Sequence, residues 1–128
     1  MAWLDQGYPL VVAETPEGEI VAWASAPPYR VSRAAYSGIA DFSIYVARSF
    51  RGRGAGRAAL AALIEAAEAR GFWKLVSRVF PENEASLALC RSLGFREVGT
   101  YRRHAKLDGV WRDVVIVELL LGEAAQER

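Results

Sequence analysis

Apolar and polar positions alternate over the first forty or so residues and then fall into a helical period, and that switch predicts the order of elements. Pro9 to Glu14 and Glu19 to Ser25 are short β-rich runs. Between them, Thr15-Pro16-Glu17-Gly18 has proline second and glycine fourth, as a type I turn prefers, so the two runs predict a hairpin. Pro27-Pro28 ends the second strand. A polar stretch from Arg30 to Gly38 leads to a third strand expected over about 40–47. Leu60, Leu63, Ile64 and Ala67 then recur at the spacing of one helical face, predicting a helix from about Gly54 to Arg70 that Gly71 stops. Lys74 to Val79 reads as a strand broken by Pro81. Asn83 is a good N-cap for a short helix carrying Leu87, Leu89, Cys90 and Leu93 and closed by Gly94. Two last strands, about 96–105 and 110–121, meet across Asp108-Gly109, a strong tight-hairpin signal, and residues 122–128 are expected to fray. The order ββ-β-α-β-α-ββ is that of an α/β protein with a mixed sheet.

Composition narrows the options. A chain of 128 residues, 52% hydrophobic and 24% charged, suits one soluble domain with a single core. A net charge of +1 argues against a general nucleic-acid binder. The basic residues are uneven, though: Arg48, Arg51, Arg53 and Arg57 cluster on the glycine loop, which suits one polyanionic small molecule. A single cysteine gives no internal disulfide and points to a reducing cytoplasm, and with one histidine beside it no metal cluster is expected. No apolar run approaches membrane-spanning length, and Met1 to Asp5 does not look like a signal peptide.

The chemistry is concentrated where the strand over 42–46 meets Arg51-Gly52-Arg53-Gly54-Ala55-Gly56 and the helix beyond. Glycines admit close backbone approach, and the N–H groups of a helix start point at negative charge, so the loop reads as a pyrophosphate site. No Lys-Ser/Thr follows the last glycine, which excludes a Walker loop, and the glycine register is wrong for a dinucleotide fold. The loop has the form Arg/Gln-x-x-Gly-x-Gly/Ala, and in these residues the chain resembles the GNAT superfamily of acetyl-CoA-dependent N-acyltransferases. Asn83-x-x-Ser86-x-x-Leu89, ending in Leu93-Gly94-Phe95, is similar to that family's second signature. The resemblance covers about residues 7–121. It implies a single domain over 1–128 with a tail from 122, and a GNAT fold: an α/β arrangement with a mixed, mostly antiparallel sheet flanked by helices. Tyr8 to Glu14, Tyr36 with Asp41 to Val46, and Gly109 to Val114 are similar to the phosphinothricin acetyltransferase branch, which acetylates the α-amine of small amino-acid-like compounds.

The resemblance implies a role for each candidate residue. Arg51, Gly52, Arg53, Gly54, Ala55 and Gly56 would seat the diphosphate of acetyl-CoA, with Arg48 or Arg57 toward the ribose phosphate. Ile44, Tyr45 and Val46 would run beside the thioester and pantetheine, with the Val46 N–H polarising the carbonyl; both aliphatic side chains also suit plain β-core. Asn83 and Ser86 would meet the carrier from the second helix, or serve only as its cap. Asp41 stands where the branch has glutamate and is the candidate base for the acceptor's ammonium; one methylene shorter, it would work through water, or be a solvated strand-end residue. Cys90 stands where relatives carry tyrosine or histidine, as an acid for the departing thiolate or as a small buried hydrophobe. Arg30 and Tyr36 would grip an acceptor carboxylate, and His104 would contact the acceptor; surface positions suit all three equally. A leading strand and two helices of the family, on the order of fifty residues, have no counterpart before Pro9. The strand over 9–14 would then be an exposed edge, which implies a homodimer. The activity implied is acetyl transfer to the primary amine of a phosphinothricin- or methionine-sulfoximine-type acceptor, with no metal, nucleic acid or membrane. The alternatives are a peptide or other small amine, or an acyl-CoA-binding module without turnover.

Overall fold

The hairpin forms as its turn chemistry dictates: β1 (Leu10–Glu14) and β2 (Ile20–Ser25) pair antiparallel, with Val12 opposite Trp23 and Ala13 opposite Ala22. Gly18, at φ 90, donates its N–H to Thr15 O at 2.9 Å, and Thr15 Oγ1 accepts from Glu19 N at 3.1 Å. The computed structural model describes residues 9–26, 36–47 and 54–126. The chain divides into two units, residues 1–75 with 120–128, and residues 76–119.

In the first unit, the single strand expected over 40–47 is two strands. β3 (Ile39–Asp41) and β4 (Ser43–Val46) are separated at Phe42, whose ring is buried. β4 pairs antiparallel with β2 from Ser25↔Ser43 to Ala22↔Val46, completing a sheet of order β1-β2-β4. The split follows from what β2 can offer. Its ladder runs out at Ser25, just before Pro27-Pro28, which have no N–H to donate. Residues 39–41 therefore pair elsewhere, in the second sheet beside β5 (Lys74–Val79), whose first two residues belong to this unit.

The helix α1 (Ala55–Ala69) packs on β1, β2 and β4, burying Ala59, Leu60, Leu63 and Ala67. Ala22 and Ala24, almost wholly buried, keep this face of the sheet low enough for the helix to lie close. The opposite face leaves Val12, Trp23 and Tyr45 exposed. Gly71, at φ 86, ends α1: its N–H donates to Glu68 O and the Phe72 N–H to Ala67 O, both at 3.1 Å, a Schellman closure. Residues 122–126 are not frayed. Glu68 accepts the Gly122 N–H at 2.7 Å and Trp73 O accepts the Leu121 N–H at 2.9 Å, holding a short helical turn over Gly122–Ala125.

The second unit holds the rest of β5, then α2 (Glu84–Ser92), β6 (Arg96–Leu107) and β7 (Val110–Leu120), with strand order β5-β7-β6. Asp108 at φ 50 and Gly109 at φ 77 make the two-residue β6–β7 turn that Asp-Gly favours, with Leu107 opposite Val110. The short turn Gly122–Ala125 is α3.

Candidate active site

The start of α1 carries the feature that the glycine loop anticipates. Gly54 is the N-cap residue, at φ 84 and ψ −1; it makes no side-chain cap, and no acidic residue stands in the first turn. Ala55 and Gly56 thus open a helix whose positive end is not neutralised by its own side chains. A methyl built on Gly54 would meet no atom of the described residues within 4 Å apart from its chain neighbours. Arg57 is exposed on the same turn. Arg48, Arg51, Gly52 and Arg53 lie outside the described residues, as does Arg30.

β4 presents its backbone in one direction. The Ala47 N–H donates to Val21 O at 2.6 Å, and successive residues of a strand alternate, so the Ile44 and Val46 N–H groups point away from β2. β4 is also the last strand of its sheet. The side chains of Ile44 and Val46 are half-buried on the face of Ala24 and Ala22, their register partners. N–H groups directed away from β2 and side chains packed on one face therefore coexist. Tyr45 points to the other face and stacks on Trp23 at 6.2 Å between ring centroids.

Asp41 ends β3, half-buried and facing opposite to the buried Ala40. The other end of β3 is pinned by a contact that the sequence did not reveal. The Trp73 N–H donates to Gly38 O at 2.7 Å, and a Cβ at Gly38 would fall inside the Trp73 ring. Only glycine allows that approach. Tyr36, exposed, lies two residues before it.

In the second unit Asn83 caps α2 as expected, its Oδ1 accepting from Ser86 N at 3.1 Å. Ser86 is half-buried on the first turn. Cys90 is buried, and burial pushes its thiol from 9.0 to about 11; the charge of Arg91 acts against this and Glu97 adds slightly to it. Such a thiol stays protonated at neutral pH and is a weak acid. His104 is exposed on β6, its ring 4.6 Å from that of Tyr101. It sits in an interruption of the β6–β7 ladder that reasoning from sequence also missed, although Arg102-Arg103-His104 marks it by breaking the strand alternation. Asp41, Ile44, Tyr45, Val46, Gly54, Ala55 and Gly56 thus belong to one unit, and Asn83, Ser86, Cys90 and His104 to the other.

The chain belongs to the acetyltransferase (GNAT) family, whose model matches residues 1–95. It is 36% identical over 124 residues to the L-methionine sulfoximine/L-methionine sulfone acetyltransferase of Pseudomonas paraeruginosa, spanning 94% of this chain and 72% of that protein. It is also 36% identical over 115 residues to the phosphinothricin N-acetyltransferase of Streptomyces coelicolor, covering 89% and 67% of the two chains. A solved phosphinothricin acetyltransferase from Sinorhizobium meliloti, in complex with acetyl-CoA, superposes with a TM-score of 0.90 at 31% identity over 99% of this chain and 68% of that one. A ribosomal-protein-alanine N-acetyltransferase structure from Brucella melitensis gives 0.87 at 38% identity, over 94% and 75%. The fold is therefore the GNAT fold, with mixed, mostly antiparallel sheets flanked by helices.

Proposed function

We propose that this protein moves the acetyl group of acetyl-CoA to the primary amine of a small amino-acid-like acceptor of the phosphinothricin or methionine-sulfoximine type. The observation that carries the reading is the start of α1, left-handed at Gly54 and without a capping side chain, where a methyl would meet no described residue beyond its chain neighbours within 4 Å. That arrangement fits the diphosphate of coenzyme A, with Gly54, Ala55 and Gly56 of the described residues holding it and Arg51, Gly52 and Arg53 completing the loop. Asn83 and Ser86 hold the pantetheine side. The Sinorhizobium enzyme, similar over nearly the whole chain, was solved with acetyl-CoA bound, which supports the same carrier here.

In this reading the Val46 N–H, directed away from β2, polarises the thioester carbonyl, and a preorganised donor of that kind lowers the barrier by about 3 kcal/mol. The acceptor's amine is mostly protonated at neutral pH, so Asp41 takes its proton through a water before attack. The nitrogen lone pair then forms the amide bond as the carbon–sulfur bond breaks, and the nitrogen gives up its second proton to solvent. Solvent returns a proton to the thiolate, because the Cys90 thiol at about 11 gives up its own reluctantly. Tyr36, Arg30 and His104 are the candidate acceptor contacts.

Both units act as one acetyltransferase domain over residues 1–128, in the cytoplasm, as a homodimer. The single cysteine supports the compartment, and the exposure of Leu10 and Val12 on the terminal strand β1 supports self-association. No helix among the described residues is long and apolar enough to cross a membrane. The test is coenzyme A thiol release from acetyl-CoA over a panel of phosphinothricin, methionine sulfone, methionine and a peptide with N-terminal alanine. Release with the amino acids is expected. Release with the peptide alone would establish peptide-amine acetylation, a reading that the 38% identity to the Brucella structure favours. Binding of acetyl-CoA with no release on any acceptor would leave a binding module.

A further inference from the structure

Only three residues make up β3, so the strand has few ladder bonds to fix its own position. What fixes it lies in the same unit, beside its first residue. Gly38 O accepts the Trp73 N–H at 2.7 Å and the Lys74 N–H at 3.2 Å, and Trp73 O in turn accepts the Leu121 N–H at 2.9 Å. Trp73 is thus held through both its N–H and its carbonyl. Its indole lies against the Gly38 Cα: a Cβ there would fall on the ring atoms Cδ2, Cε3 and Cζ3. Gly38 has no left-handed backbone to accommodate, so what glycine supplies here is room for the ring. At the far end of β3 the ring of Phe42 is buried, as is Ala40 within the strand. Asp41 stands between these fixed points, three residues from the indole contact.

We propose that Trp73 is a positioning residue for the base: its indole, laid on Gly38, sets where β3 runs and so where the Asp41 carboxylate stands. The inference rests on the reading of Asp41 as the group that takes the acceptor's proton, and adds what holds that group in place. Aspartate has a single methylene with which to reach, so a shift of its backbone is not made up by its side chain. Proton transfer through a water needs hydrogen-bond geometry at both of the water's contacts. A displacement of about 1 Å at a reacting group costs up to about a hundred-fold in rate. In this assignment Trp73 touches neither substrate and acts only through the strand.

The experiment is a double-mutant cycle in kcat at pH 7, with methionine sulfone and acetyl-CoA as the substrates. Trp73→Ala is expected to lower kcat about ten-fold, while KM for acetyl-CoA stays as in the unaltered protein. Trp73 is 38% exposed, so losing its ring opens a surface groove and no sealed cavity in the core. Trp73→Phe keeps a flat ring against Gly38 and should recover most of kcat. In Asp41→Asn no carboxylate is left to misplace, so adding Trp73→Ala should cost nothing more. Losses that multiply in the double variant, a rise in KM for acetyl-CoA, or an unchanged kcat in Trp73→Ala would each overturn the proposal. Should Trp73→Ala fail to fold, Trp73→Leu, which fills volume without a flat face, takes its place with the same expectations. Full activity in Asp41→Asn alone would refute Asp41 as the base, and this inference with it. A deficit there beside an unaffected Trp73→Ala would refute the positioning role alone. Absence of turnover by the unaltered protein on any acceptor would instead sink the acetyl-transfer reading and everything built on it.

Discussion

Single residues in this protein act mostly through backbone geometry. Gly54 is the clearest instance: it stands at φ 84 with none of the described residues beyond its chain neighbours within 4 Å of a methyl built on it, and its proposed role is to let a ligand approach the backbone. Gly54→Val adds a branched side chain in that space and a left-handed strain on the order of 1–2 kcal/mol. Affinity for acetyl-CoA should fall at least ten-fold by calorimetry, with the circular dichroism spectrum unchanged. Asp41→Asn should leave that affinity intact and lower kcat by ten-fold or more at pH 7. The deficit should shrink as pH rises toward the amine's own pKa, where the acceptor deprotonates unaided; a pH-independent deficit would remove Asp41 as the base. Cys90 gives a third expectation. Below about pH 9 its thiol is protonated whether the chain is folded or not; between there and about 11 it ionises in the unfolded chain while the folded one keeps the proton. Stability should therefore fall as pH rises through that window, and Cys90→Ala should flatten the fall in urea midpoints.

At the scale of elements, what was legible in the sequence was whatever is decided locally. The caps and closures at Asn83, Gly71 and Gly94 and the Asp108-Gly109 turn depend on neighbours a few residues apart, and all of them form as the sequence signals. Replacing Asn83 by alanine removes the bond to Ser86 N and should cost about 1 kcal/mol in chemical denaturation. The division of residues 39–46 into β3 and β4 was not legible, because it depends on where β2 runs out of donors, a fact about a partner strand. The interruption of the β6–β7 ladder at Arg103 was hidden for the same reason. Its cause is the Asp113 carboxylate across the hairpin, and from sequence it shows only as three polar residues in a row. The sequence leads to the expectation of an anion site at the glycine loop, whose first half, 51–53, lies outside the described residues.

For the whole molecule, the sheet β1-β2-β4 buries one face under α1 and leaves the other with Val12, Trp23 and Tyr45 in a row across three strands. A terminal strand with exposed Leu10 and Val12 beside such a row is a surface that proteins seldom leave bare. Sedimentation equilibrium at micromolar concentration should give twice the chain mass of 14.1 kDa, and a chain that stays at that mass on concentration would overturn the dimer. Acetyl-CoA turnover measured across the same concentration range tells whether assembly and activity rise together.

The indole laid across Gly38 has a use for anyone varying this enzyme. Position 38 tolerates no side chain because of volume alone, whatever the chemistry of the replacement, while the role proposed for Asp41 three residues on rests on its charge. An alanine at 38 therefore supplies a purely mechanical lesion just before the same strand, a yardstick for separating a disturbed scaffold from a lost proton acceptor.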